Sequence, residues 1–103
     1  MPIEVTLRHQ KSDPTVKLYA EQQAEQLIGE YPKVDSVHLV IDHQRHLFDA
    51  DVVVHLKGHI ARAREHATNL RGAIDIAIAR VRKQLRKITG KIEKSHLRQE
   101  KHI

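Results

Sequence analysis

The spacing of apolar residues switches between two periods along the chain, and this switching constrains the fold more than any other feature. In residues 3–9, apolar and polar side chains alternate with a period of two, which is typical of a half-buried strand. Apolar residues then recur at helical spacing as far as Gly29, where the helix should end. Asp13 is a favoured N-cap residue, and Pro14 suits the first helical turn. The chain therefore opens with a strand and a helix.

Three more strands and a second helix follow. The segments that alternate with a period of two are residues 34–42, 48–57 and 59–67. The segment HQRHLFDAD is expected to turn the chain between the first two, and Gly58 marks a hairpin between the last two. From the cap residue Asn69, one apolar stripe continues at helical spacing to a predicted stop at Gly90. The element order is thus β-α-β-β-β-α.

This order predicts an α+β fold with a four-stranded mixed sheet. A right-handed crossover makes the first two strands parallel neighbours, and the later strands should be antiparallel. Two amphipathic helices most simply cover one face of the sheet and leave the other open to water. The side chains expected on the open face are His38, Asp42, Arg62, Arg64 and His66. Residues 1–90 are predicted to form a single domain, and residues 91–103 a short polar tail.

Positive charge is concentrated in the last predicted helix. The whole chain carries a formal net charge of +5. Residues 69–91 hold seven Lys or Arg against a single acid, Asp75, so this segment carries +6 and the remainder −1. The basic side chains share one arc opposite the apolar stripe, and pairs such as Arg82 and Arg86 repel each other at i, i+4. A polyanionic partner would relieve that repulsion, whereas a solvated helix face is the alternative interpretation.

The sequence also narrows the kind of polyanion. Its only aromatic residues are Tyr19, Tyr31 and Phe48, too few for the stacking platforms of single-strand binders. A basic helix without stacking residues contacts phosphate and shape, not bases. Folded RNA and duplex DNA both fit this description, and an acidic protein is a third alternative.

Other chemistries find little support in the sequence. There is no Cys, hence no disulfide or thiolate site. No nucleophile elbow, phosphate-binding loop or H-E-x-x-H motif is present, so neither enzyme activity nor a small-molecule substrate or cofactor is expected. The nine His match no metal-binding spacing, and no metal site is expected. Asp49 and Asp51 share one side of a strand, where a solvated pair is favoured over an acid–base or cation-binding pair.

No segment of the sequence suits a membrane or an export signal. The longest apolar runs fall well short of the roughly 20 residues that a membrane helix needs. The N-terminal residues lack the apolar core of a secretory signal. The cytoplasm is therefore the expected compartment, and no membrane partner is expected.

The stretch NLRGAIDIAIARVRKQLRKITGKIEK resembles the end of the ribosome hibernation-promoting factor family, also called the sigma-54 modulation family. The positions typical of that family are occupied here by Asn69, by Ala73, Ile74 and Asp75, by Lys83, Gln84 and Leu85, and by Lys87. The element order and length agree over about residues 3–94. The resemblance implies a fold similar to double-stranded RNA-binding domains. It also implies a short form, without the C-terminal dimerisation domain of the long members.

The resemblance further implies a partner, the small ribosomal subunit and its ribosomal RNA. Members occupy the channel for mRNA and tRNA and silence translation in stationary phase or stress. Basic positions of the family helix are matched by Arg80, Arg82, Lys83, Arg86 and Lys87. The full predicted RNA-binding set adds Arg62, Arg64, Arg71 and Lys91. This chain departs from the family in having Arg71 where many members have an aromatic residue, and Ile88-Thr89-Gly90 where a basic run is usual.

Overall fold

The computed structural model describes residues 3–9 and 13–101, with residues 93–101 described by their backbone alone. Six elements follow one another in the predicted order. They are β1 (Ile3–Arg8), α1 (Pro14–Glu30), β2 (Val34–Gln44), β3 (Leu47–Leu56), β4 (His59–Ala67) and α2 (Leu70–Lys101). The β-α-β-β-β-α prediction is confirmed. No helix among the described residues is both long and apolar enough to cross a membrane.

Local sequence sets both ends of α1. The Asp13 carboxylate accepts a hydrogen bond of 2.9 Å from the Thr15 backbone N–H, and Pro14 occupies the first turn. At the other end, the Tyr31 backbone N–H donates to the Leu27 carbonyl at 2.9 Å. Pro32 follows directly and cannot continue the helix. The helix therefore ends one residue beyond the predicted Gly29.

Two tight turns join the antiparallel strands. Lys57 and Gly58 both have positive φ, 48° and 79°, the backbone that a two-residue hairpin turn of type I′ requires. The turn between β2 and β3 is shorter than predicted, because the segment HQRHLFDAD is mostly strand and only Arg45 and His46 lie outside it. His43 and Phe48 face each other across this hairpin and stack with ring centroids 4.0 Å apart.

The sheet has the order β1-β2-β3-β4, with β1 parallel to β2 and the other pairs antiparallel. Both helices cover one face, α1 over β1 and β2, and α2 over β3 and β4. Each strand turns alternate residues toward the helices, so that Leu39, Val52 and Ala63 form one row of the core across the sheet. The buried side chains of β4 are the small ones of Ala61 and Ala63, and α2 packs against this strand. The predicted open-face residues, from His38 to His66, lie on the opposite face, as expected.

The predicted helix stop at Gly90 is wrong, because α2 continues to Lys101. Gly90 lacks the positive φ of a helix C-cap, and a glycine inside a helix costs only about 1 kcal/mol relative to alanine. The residues after it include no proline. The predicted tail is thus helical through Lys101, while residues 102 and 103 lie outside the described residues. The assignment of residues 1–90 to one domain stays a prediction.

Candidate nucleic-acid interface

The α2 helix is fixed to the sheet by one apolar stripe. Its fully buried members, at most 2% exposed, are Ala73, Ile74, Ala77, Ile78, Val81 and Leu85. Their spacing of three and four residues places them on one side of the helix. Because this stripe is buried against the sheet, the opposite side of α2 faces outward. The predicted basic arc is therefore a surface of the folded molecule.

Lys83, Arg86 and Lys87 form the exposed basic ridge of α2. Among the side chains of residues 3–9 and 13–92, no carboxylate makes an ion pair with any of the three. Lys91 lies one turn beyond Lys87 and is exposed as well. Four positive charges thus lie within three turns of helix without an intramolecular counter-charge in the described structure. That is the local electrostatic requirement for binding a polyanion.

Two other predicted contact residues of α2 are bound by carboxylates of the protein. The Arg80 guanidinium lies 2.8 Å from a Glu65 carboxylate oxygen on β4. Arg82 donates two hydrogen bonds to Glu30 at the end of α1, of 2.8 Å and 3.2 Å. These pairs tie α2 to its neighbours on either side. They also offset two of the charges that the sequence assigned to the basic arc.

The first turns of α2 are held to α1 by Tyr19. Its hydroxyl donates a short hydrogen bond to the Asp75 carboxylate, and this bond is the main reason why the pKa of Tyr19 is raised. The Arg71 guanidinium lies 4.8 Å from the centroid of the same ring, in a cation–π contact. Asp75, the one acid of the predicted basic segment, therefore has a structural partner. Arg71 lies in the first turn of α2, about three turns before Lys83.

The side chains of Arg62 and Arg64 lie on the open face of the sheet, on the side opposite the helices. Arg62 forms a two-bond pair with Asp51, at 3.2 Å and 2.8 Å, and this hydrogen bonding raises the pKa of Arg62. Arg64 lies 3.6 Å from Asp49. These pairs line a polar cavity of about 230 Å³ on the open face. The two aspartates are therefore ion-paired carboxylates, and the predicted binding set divides between two faces of the molecule.

Three of the His side chains have defined partners. His9 lies 2.8 Å from Asp42, and this hydrogen bond is the main reason why the pKa of Asp42 is lowered. His38 lies 3.3 Å from the Thr6 hydroxyl, and His43 stacks on Phe48. Within the described part of the chain, no group of three or more His, Asp or Glu side chains is placed to share a metal ion.

Gln84 was not predicted as a structural residue of the interface. Its side-chain amide accepts a hydrogen bond of 2.9 Å from the Arg62 backbone N–H and donates one of 2.7 Å to the Arg62 carbonyl. The amide therefore pairs with the outer edge of β4 as a neighbouring strand would. The sequence signal was a polar residue at the margin of the apolar stripe. Gln84 fixes the position of the helix turn that carries Lys83, Arg86 and Lys87.

Comparisons with known proteins agree with this architecture. A family model described as Sigma 54 modulation protein / S30EA ribosomal protein matches residues 3–93. The comparison with curated proteins gave no match.

Two solved structures share the fold. The Thermus thermophilus Protein Y N-terminal domain superposes with a TM-score of 0.76 at 23% identity, and the match covers 85% of this chain and 99% of that one. A ribosomal subunit interface protein from Coxiella burnetii gives a TM-score of 0.71 at 16% identity, with 84% and 98% covered. At such identities the likeness concerns the backbone alone.

Proposed function

The chain belongs to the Sigma 54 modulation protein / S30EA ribosomal protein family, that of the ribosome hibernation-promoting factors, and on this premise we propose that it silences translation by binding the small ribosomal subunit. The family is one of ribosome-associated proteins. In this proposal the domain occupies the channel used by mRNA and tRNA during stress or stationary phase. It acts in the cytoplasm by binding and not by catalysis.

The observation that carries the proposal is the exposed basic ridge. Arg80 and Arg82 are neutralised by Glu65 and Glu30, yet Lys83, Arg86 and Lys87 beside them have no such partner among the described residues. Like charges at i, i+4 on a helix repel each other by a few tenths of a kcal/mol. RNA phosphates would replace that repulsion with attraction, and each neutralised phosphate would release condensed counterions.

The direct test is co-sedimentation with small subunits in sucrose gradients. Reversing the charge of the ridge with Lys83→Glu, Arg86→Glu and Lys87→Glu should abolish co-sedimentation, because the ridge would then repel phosphate. The thermal unfolding midpoint should stay within a few degrees, since the three side chains are exposed. If this variant sediments with small subunits as the parent does, the ridge is not the RNA contact.

The matched control places the same change in net charge elsewhere. Lys17, Arg45 and Lys57 are exposed cations on α1 and on the two hairpin turns. A triple variant with glutamate at these positions should retain most binding, because it leaves the ridge intact. Equal losses in the two variants would indicate an effect of net charge alone.

The two other partner classes give different outcomes in the same assay. A general binder of DNA or structured RNA would be displaced from small subunits by an equal mass of duplex DNA. A domain for an acidic protein would keep its partner after nuclease digestion. The proposal requires the opposite result in both cases, with binding that resists duplex DNA and is lost on digestion of the RNA.

A further inference from the structure

A cavity of about 270 Å³ lies where α1 ends, beside the basic side of α2. It is lined by Glu30, Tyr31, Pro32, Lys33, Leu56 and Thr89. Leu56, which is 1% exposed, forms its apolar floor, while Pro32 and Lys33 are exposed at the surface. Pockets for drug-sized ligands usually hold about 300–1,000 Å³, so this cavity suits a smaller group. A single planar ring system is of that size.

The cavity continues the stripe of α2 that carries basic residues. Arg82, Arg86 and Thr89 follow one another at i, i+4 and i+7, so they lie along one side of the helix. Thr89 is part of the cavity wall, and the exposed Arg86 is one turn before it. A polynucleotide whose phosphates contact Lys83 and Arg86 would therefore pass the cavity mouth.

The lining combines an aromatic surface with groups that match the edge of a base. Tyr31 and Pro32 provide flat apolar surface, and the Thr89 hydroxyl both donates and accepts hydrogen bonds. The Glu30 carboxylate can accept from an amino group of a base. It would not repel the nearby RNA strongly, because Arg82 already pairs with it at 2.8 Å. Lys33 at the rim can neutralise the adjacent phosphate.

We infer that this cavity receives one unstacked base of the RNA held by the basic ridge, an inference that rests on the function proposed above. Unpaired bases in folded RNA are commonly bound by stacking on an aromatic side chain. Two hydrogen bonds fix the position of Tyr31. Its backbone N–H bonds to Leu27 at 2.9 Å, and its hydroxyl donates to the Arg82 carbonyl at 3.5 Å. The chain thus combines its phosphate contacts with a base contact that its few aromatic residues did not predict.

The test combines two footprints on small subunits. Hydroxyl radicals report the RNA backbone that the protein covers, whereas dimethyl sulfate and carbodiimide report the Watson–Crick edges of individual bases. With the parent protein, one unpaired base at the margin of the backbone footprint should be protected. Thr89→Met fills the cavity without changing charge and should release that base while keeping the backbone footprint. Affinity should fall roughly tenfold, as for the loss of one stacked base.

Two tyrosine variants and one control complete the design. Tyr31→Ala should also release the base, whereas Tyr31→Phe keeps the ring and should protect it. Gln22→Met adds the same side chain on the exposed side of α1 and should behave as the parent. Continued protection of the base in Thr89→Met, or no protected base within a parental footprint, would overturn the inference. A parent without any backbone footprint would overturn the proposed function, and this inference with it.

Discussion

Individual basic side chains on α2 differ in what they can bind, although a helical wheel places them all in one arc. The Arg82 charge is offset by Glu30, which lies 52 residues earlier in the chain, whereas the neighbouring Lys83 has no ion pair among the described residues. A wheel shows only the residues of one helix. Carboxylates brought in by α1 and β4 cannot be read from it. The ion pairs of Arg80 with Glu65 and of Arg82 with Glu30 could therefore not be predicted from the sequence.

Removing the carboxylate from the Arg80–Glu65 pair tests whether Arg80 can contact RNA. Glu65→Gln removes the carboxylate and keeps the side-chain shape, so it frees Arg80 to contact phosphate. We expect affinity for small subunits to rise and the slope of log affinity against log salt to steepen by about one. Because the Arg80 side chain is 64% exposed, the free energy of unfolding should fall by less than about 1 kcal/mol. An unchanged salt slope would show that Arg80 does not contact RNA.

The elements were largely predictable because their signals are local. Asp13 and Pro14 set the start of α1 through a side-chain hydrogen bond and a fixed φ, and Gly58 allows the turn between β3 and β4. The end of α2 was missed, since the small cost of Gly90 is outweighed by continued hydrogen bonding along the helix. The cavity beside Thr89 could not be predicted, because four separate elements or connections meet there.

The docking of α2 on β4 depends on Gln84. Gln84→Met keeps the length of the side chain and removes both hydrogen bonds to the Arg62 peptide group. We expect a loss of about 1–2 kcal/mol in urea unfolding, because the strand edge loses its partner. Amide hydrogen exchange should accelerate at Arg62. The amides of Ala61 and Ala63 point the other way, toward β3, and provide the internal control. Uniform acceleration of all three would instead indicate global destabilisation.

At the scale of the whole molecule, the predicted binding residues occupy two opposite faces. The basic ridge lies on the outer side of α2. Arg62 and Arg64 lie on the open face of the sheet and pair with Asp51 and Asp49. One straight duplex can contact only one of these faces at a time. A channel encloses its occupant, so RNA walls can reach both. Binding in the proposed channel should therefore involve both faces of the molecule, whereas binding to a simple RNA duplex should involve one.

The pair of changes Arg62→Gln and Arg64→Gln tests this distinction. Both side chains are more than 60% exposed, so the fold should tolerate their replacement. We expect binding to small subunits to weaken by at least a few-fold, because the change removes two cations and leaves Asp51 and Asp49 unpaired beside the RNA. Binding to a short RNA duplex, measured by fluorescence anisotropy at the same salt, should stay unchanged, since the ridge alone makes that contact. If the affinities for small subunits and for the duplex fall equally, the open face also contacts ordinary duplex RNA. No weakening on small subunits would remove Arg62 and Arg64 from the binding set and leave α2 as the sole contact.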